Sequence, residues 1–176
     1  MGGLIIPKYY VDVSDSPVIF LAGPIACAPN WQDLAVEIIY SHNLNLFVVS
    51  PRHGIREPIA KYAAQGSEEK FHRQRAWERH YLQIAGEKGA ILFWLPEQEK
   101  HECDKVYGAM TRIELGQWMT NYKINKSIGL CIGSDMKFPG LDTIKYDLSL
   151  DAPDKEIKSG LEETCMEALR ITSVKH

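Results

Sequence analysis

The chain of 176 residues has only four cysteines, Cys27, Cys103, Cys131 and Cys165, and no two form a CxxC pair. That spacing excludes a compact zinc knuckle or a disulfide framework, and scattered thiols predict a cytoplasmic protein. Long apolar runs are missing too. The longest, residues 18–28 and 90–96, are too short to span a bilayer and lack signal-peptide flanks, so no membrane partner is expected. Basic residues are in slight deficit, with 20 Lys and Arg against 23 Asp and Glu and a net charge of -3. The electrostatic footprint of a nucleic-acid binder is therefore absent. Neither GxGxxG nor GxxxxGK[ST] occurs, so no dinucleotide or P-loop signature is present and no cofactor is expected.

With 45% apolar and 24% charged residues, residues 1–176 can form one globular domain with its own core. Residues 18–22 (VIFLA) read as a buried strand closed by Gly23 and Pro24, after an N-terminal extension of residues 1–17. Asn30 then caps a helix over 31–40, and a second strand over 46–50 stops at Pro51. The polar stretch 51–70, which holds Gly54, Pro58 and Gly66, is long enough to be a lid. A helix over 68–87 follows, then the clearest strand, 90–95, a charged loop over 96–107 and a helix over 109–122. Strands over 127–132 and, more weakly, 143–146 precede a closing helix over 155–170. Alternating strands and helices predict an α/β, three-layer flavodoxin-like or Rossmann-like fold, with about five parallel strands and helices on both faces. In such sheets ligands bind at the carboxyl ends of the strands, here around residues 23–29, 51–56 and 96–114.

Gly23, Pro24 and Ile25 turn off the first strand, either to aim backbone N–H groups at a ligand or only to reverse the chain. Thr111 and Glu114 stand in a Thr-x-x-Glu arrangement at a helix start. That spacing suits a structural capping box, but the helix dipole there also suits an ionised carboxylate nucleophile. Gly116 inside the same helix suggests a close neighbour. Glu78, beside Trp77, is a second carboxyl group that apolar surroundings would turn into a proton donor or acceptor. Arg73, Arg75 and Arg79 read most simply as a solvated face, with phosphate or carboxylate binding as the lesser alternative. The run His101-Glu102-Cys103-Asp104 reads as a hydrophilic loop, because four adjacent residues cannot easily converge on one ion, and no metal is assigned.

In order along the chain, FLAGPI (20–25), Trp31, VSPR (49–52), RAWERHYL (75–82), ILFWLP (91–96) and GAMTRIELGQW (108–118) resemble the nucleoside 2-deoxyribosyltransferase-like family. The resemblance spans roughly residues 18–132 and implies a flavodoxin-like fold, a homo-oligomer, and N-glycosidic cleavage of nucleosides or their monophosphates through a glutamate. It makes Glu114 the nucleophile and lines the sugar site with the Gly23 turn and with Gly108 to Thr111. Glu78 falls near an acidic residue that manages the proton of the base. Arg52, Trp77 and Trp94 complete the expected substrate-binding set. Two departures stand out: Ile19 and Phe20 occupy the region of a tyrosine that orients the nucleophile, and Gly108 replaces an acidic residue six positions before it.

Three activities follow as expectations. The first is transfer of a 2-deoxyribosyl group to a second base or to water. The second is hydrolysis of a nucleoside 5′-monophosphate, with Arg52, His53 and Arg56 holding the phosphate. The third is a non-catalytic nucleotide-binding module.

Overall fold

The computed structural model describes residues 2–14, 16–54, 56–64, 68–102 and 104–175. Gly66 of the expected lid and Cys103 of the hydrophilic loop lie outside them.

Buried parallel strands carry apolar side chains on both faces, because helices cover both. This is the pattern of β3 (Val18–Ala22) and of β6 (Ala90–Leu95), every residue of which is buried. Residues 1–17 are not merely an extension. Within them, β1 (Gly3–Ile5) pairs in parallel with β4 (Phe47–Val49), and β2 (Tyr9–Tyr10) pairs antiparallel with β5 (Glu68–Glu69) in a separate two-stranded ribbon. The main sheet continues through β7 (Leu130–Ser134) to the short edge strand β8 (Ile157–Lys158). Its order is β1-β4-β3-β6-β7-β8, and every pairing is parallel. From β4 to β8 this is the 2-1-3-4-5 order of flavodoxin-like sheets, whose switch point falls between β3 and β6.

Strand alternation sorts the core into two layers. Phe20, Ile91 and Phe93 pack with Trp77 and Tyr81 of α2 (Gln74–Lys88) and Leu115 and Trp118 of α3 (Ala109–Ile124). Ile19, Leu21, Leu92 and Trp94 point the other way, toward α1 (Trp31–His42) and α5 (Leu161–Lys175). The architecture is thus three-layered α/β. No helix among the described residues is long and apolar enough to cross a membrane.

Three expected elements differ. Residues 143–146 are not a strand but part of α4 (Leu141–Asp151), which begins after the left-handed Gly140 (φ 77°) and carries Asp142 in its first turn, where the helix dipole favours it. The sixth strand is instead the two-residue β8, inside the segment expected to open the last helix, and α5 starts only after Gly160. Likewise, α2 begins at Gln74, later than expected, because Glu68–Glu69 is held by the ribbon. Tyr81 anchors the N-terminal segment to α2: its hydroxyl accepts from the Val11 N–H at 2.8 Å, while Trp77 Nε1 donates to the Tyr9 carbonyl at 2.8 Å.

Candidate active site

A cavity of about 410 Å³ opens at the switch point, within the size range of small-molecule sites. The loops leaving β3 and β6 and the first turns of α3 form most of its wall, with Phe20, Ala22, Ile25, Val106 and Met110 as apolar surface. The turn after β3 is fixed from below: Trp31 Nε1 and Gln32 Nε2 both donate to the Pro24 carbonyl, at 3.0 and 3.3 Å. Glycine is needed there because a Cβ at Gly23 would lie 2.4 Å from the Trp94 carbonyl oxygen and 2.6 Å from the Trp31 ring. The two loops are tied together, since the Cys27 carbonyl accepts from the backbone N–H of Glu99 at 2.8 Å. Tyr107 closes the second loop by donating to the Pro96 carbonyl at 3.1 Å.

Gly108 is the N-cap of α3, in the left-handed conformation at φ 64°, and a Cβ there would press to 2.9 Å from the Phe138 ring. This start places Thr111 third and Glu114 sixth in the helix. The capping box therefore does not form, and no side chain caps α3. Instead Thr111, Glu114, Leu115, Trp118 and Tyr122 make up the inward stripe of the helix, at spacings of three and four. Glu114 is consequently 8% exposed, a carboxylate placed where the helical period calls for an apolar side chain.

The partner comes from α2. Arg75 Nη1 donates to Glu114 Oε1 and, at 3.3 Å, to Glu78 Oε2. Gln74 Nε2 donates to Glu78 Oε1 at 2.9 Å and to the Pro51 carbonyl at 3.0 Å, while its Oε1 lies 2.5 Å from His53 Nε2. Two carboxyl groups thus share one guanidinium at the edge of an apolar cavity that both line. Burial is the main influence on Glu114 and pushes its pKa up from the ordinary 4.5; the bond and charge of Arg75 oppose this without cancelling it, and the nearby Glu78 charge adds to the rise.

Of the residues singled out from sequence, Gly23, Pro24, Ile25, Glu78, Gly108, Thr111 and Glu114 meet around this cavity. Trp77 and Trp94 do not. The Trp77 indole is wholly buried between Phe20 and Tyr81, and Trp94 lies on the opposite face of the sheet, because even and odd positions of β6 point to different layers. Arg52 is also absent from the wall, although its neighbour Pro51 forms part of it. The expected phosphate grip is not assembled: Arg56 pairs with Asp33 at 3.0 Å, and His53 engages Gln74. Gly116 has no close neighbour, since a Cβ there would meet nothing within 4 Å. Arg75 was hidden among three arginines read as a solvated face; its only sequence signal was the i,i+3 spacing to Glu78.

Because the Glu114 pKa is higher in the folded than in the unfolded chain, the associated stability is complete below the unfolded value near 4.5 and is lost as pH rises through the folded value. At neutral pH the ionised side chain is a net burden on the fold. Glu114→Gln, a neutral isostere, is therefore expected to melt higher than the parent at pH 7.5, with the gap shrinking toward pH 4. Calorimetric scans at both pH values check this, and a gap that does not depend on pH would contradict it.

No family profile matches the chain, and neither does any curated protein.

Proposed function

We propose that the chain cleaves the N-glycosidic bond of a nucleoside with Glu114 as the nucleophile, passing the sugar to a second base or to water. The observation that carries this reading is the buried Glu114 carboxylate on the wall of an apolar cavity at the switch point, coupled through Arg75 to a second carboxyl group. The sequence resemblance assigns the same glutamate the same role.

In this reading Glu114 Oε2 attacks C1′. Arg75 occupies Oε1, and among the described residues no hydrogen bond engages Oε2. The C1′–Oε2 bond forms as the C1′–N bond breaks through an oxocarbenium-like transition state. The bonding pair goes to the base nitrogen, which takes a proton from Glu78 or from solvent. An incoming base or water then attacks C1′, releases the Glu114 carboxylate and gives its proton to the solvent or to Glu78. Two displacements retain configuration at C1′. The apolar wall excludes bulk water from the intermediate.

The reading includes a homo-oligomer. Val106 and Met110, which line the cavity, are 76% and 51% exposed, and Ile113 further along α3 is 60% exposed, apolar surface that a second copy would cover. The free thiols Cys27, Cys131 and Cys165 suit a reducing, cytoplasmic setting.

Incubation with a panel of 2-deoxy-2-fluoro purine and pyrimidine nucleosides tests the proposal. The fluorine destabilises the oxocarbenium-like state and slows breakdown of the glycosyl-enzyme. Intact-mass spectrometry is expected to show addition of one fluorosugar, and peptide mapping to place it on Glu114. Saturable binding without any adduct or released base would make the chain a nucleotide-binding module.

A further inference from the structure

Arg75 links the two carboxyl groups of the site. It projects from the first turn of α2 and reaches Glu78 on its own helix and Glu114 on α3 with a single nitrogen. It is the only cation hydrogen-bonded to Glu114 among the described residues. The other ionisable groups around the cavity sit on loops: Lys105 is paired with Glu102 at 2.5 Å, Tyr107 bonds Pro96 and Glu97, and burial pushes the Cys27 thiol up. His53 reaches the cluster only through Gln74.

We propose, building on the glycosyl-transfer reading above, that Arg75 is the positioning residue of this site: it fixes Glu114 through Oε1 and turns Oε2 toward the substrate. An arginine suits this task because its planar fork can serve two carboxylates at once and stays charged at any working pH. Gln74 completes the arrangement. By bonding Glu78 and the Pro51 carbonyl together, it holds Glu78 against the same guanidinium and ties the pair to the end of β4.

The experiment is a carboxyl-carbon NMR titration of protein labelled at glutamate, with the Glu114 resonance assigned by its loss in Glu114→Gln. Three proteins are compared: the parent, Arg75→Met and Arg75→Lys. Removing the cation while the burial remains is expected to move the Glu114 midpoint to higher pH in Arg75→Met and part of the way in Arg75→Lys. Base release should fall roughly tenfold at pH 6 in Arg75→Met and recover toward pH 8. A purely structural arginine would instead depress the rate equally at every pH. Because the titration needs no substrate, the two ideas fail separately: a shifted midpoint without nucleoside cleavage supports Arg75 and removes the glycosyl-transfer reading. A Glu114 midpoint unchanged in both variants would overturn the assignment of Arg75.

Discussion

Glu114→Gln is expected to lower nucleoside turnover by roughly 10⁴- to 10⁶-fold, the range seen when members of a covalent catalytic constellation are removed, while the chain still folds. An amide keeps the shape of the side chain, and its oxygen still accepts from Arg75. It cannot form the glycosyl ester. Glu114→Ala is the informative companion, because it leaves a gap beside the cavity into which a small anion can diffuse. Azide is expected to restore part of the activity of the alanine variant, and the product should be a glycosyl azide of inverted configuration, since only one displacement remains. Release of base is followed by absorbance and the configuration by proton NMR. Full turnover by the glutamine variant would remove Glu114 from the mechanism, and with it the covalent pathway.

A large effect on stability is expected at Gly133→Ala, a position outside the cavity wall. Gly133 lies in β7, and a Cβ there would fall 1.9 Å from Thr164 Oγ1 and 2.9 Å from the six-membered ring of Trp94. Neither neighbour can yield easily. Thr164 is wholly buried, and its hydroxyl donates to the Gly160 carbonyl at 2.7 Å in the first turn of α5. Trp94 is 6% exposed in the layer that packs α5 against the sheet. Adding one methyl must therefore lift α5 from the sheet, at a cost of about 3 kcal/mol. In a protein of this size that is a fall in melting temperature of about 10 °C. Gly116→Ala is the control: a Cβ at this exposed helical site meets nothing, so it should stabilise by about 1 kcal/mol. Urea titrations of both variants check the pair, and similar midpoints would contradict the close approach of α5.

Much of the fold was legible because its central strands are covered on both faces. VIFLA and AILFWL could only be buried strands, and they are β3 and β6 to the residue. The start of α1 was equally clear, marked by Asn30, and that of α3 was placed near Ala109, although the capping box read at Thr111 and Glu114 does not form. The edges were not legible. The three residues of β1 and the two of β8 carry no period that could be counted, and they become strands only because β4 and β7 offer free hydrogen-bonding edges. Residues 143–146 looked like a strand over four positions, although over eight positions Leu141, Ile144 and Leu148 keep helical spacing.

The candidate site divides in the same way. Its glycine turn, Glu114 and Glu78 were nameable from residue types and spacing, and the burial of Glu114 was implicit in the stripe Thr111, Leu115, Trp118 and Tyr122. Trp77 and Trp94 stand off the cavity because a motif does not say which face of a strand or helix a side chain occupies, and Arg52, in the loop after β4, is not on its wall either. Arg75 looked like one of three surface arginines until α2 and α3 packed side by side. The sequence by itself determined the layers, the central strands and the carboxyl groups, since those follow from local periodicity. Only the tertiary structure decided which charges meet, because a contact across 39 residues of chain depends on how two helices dock on one sheet.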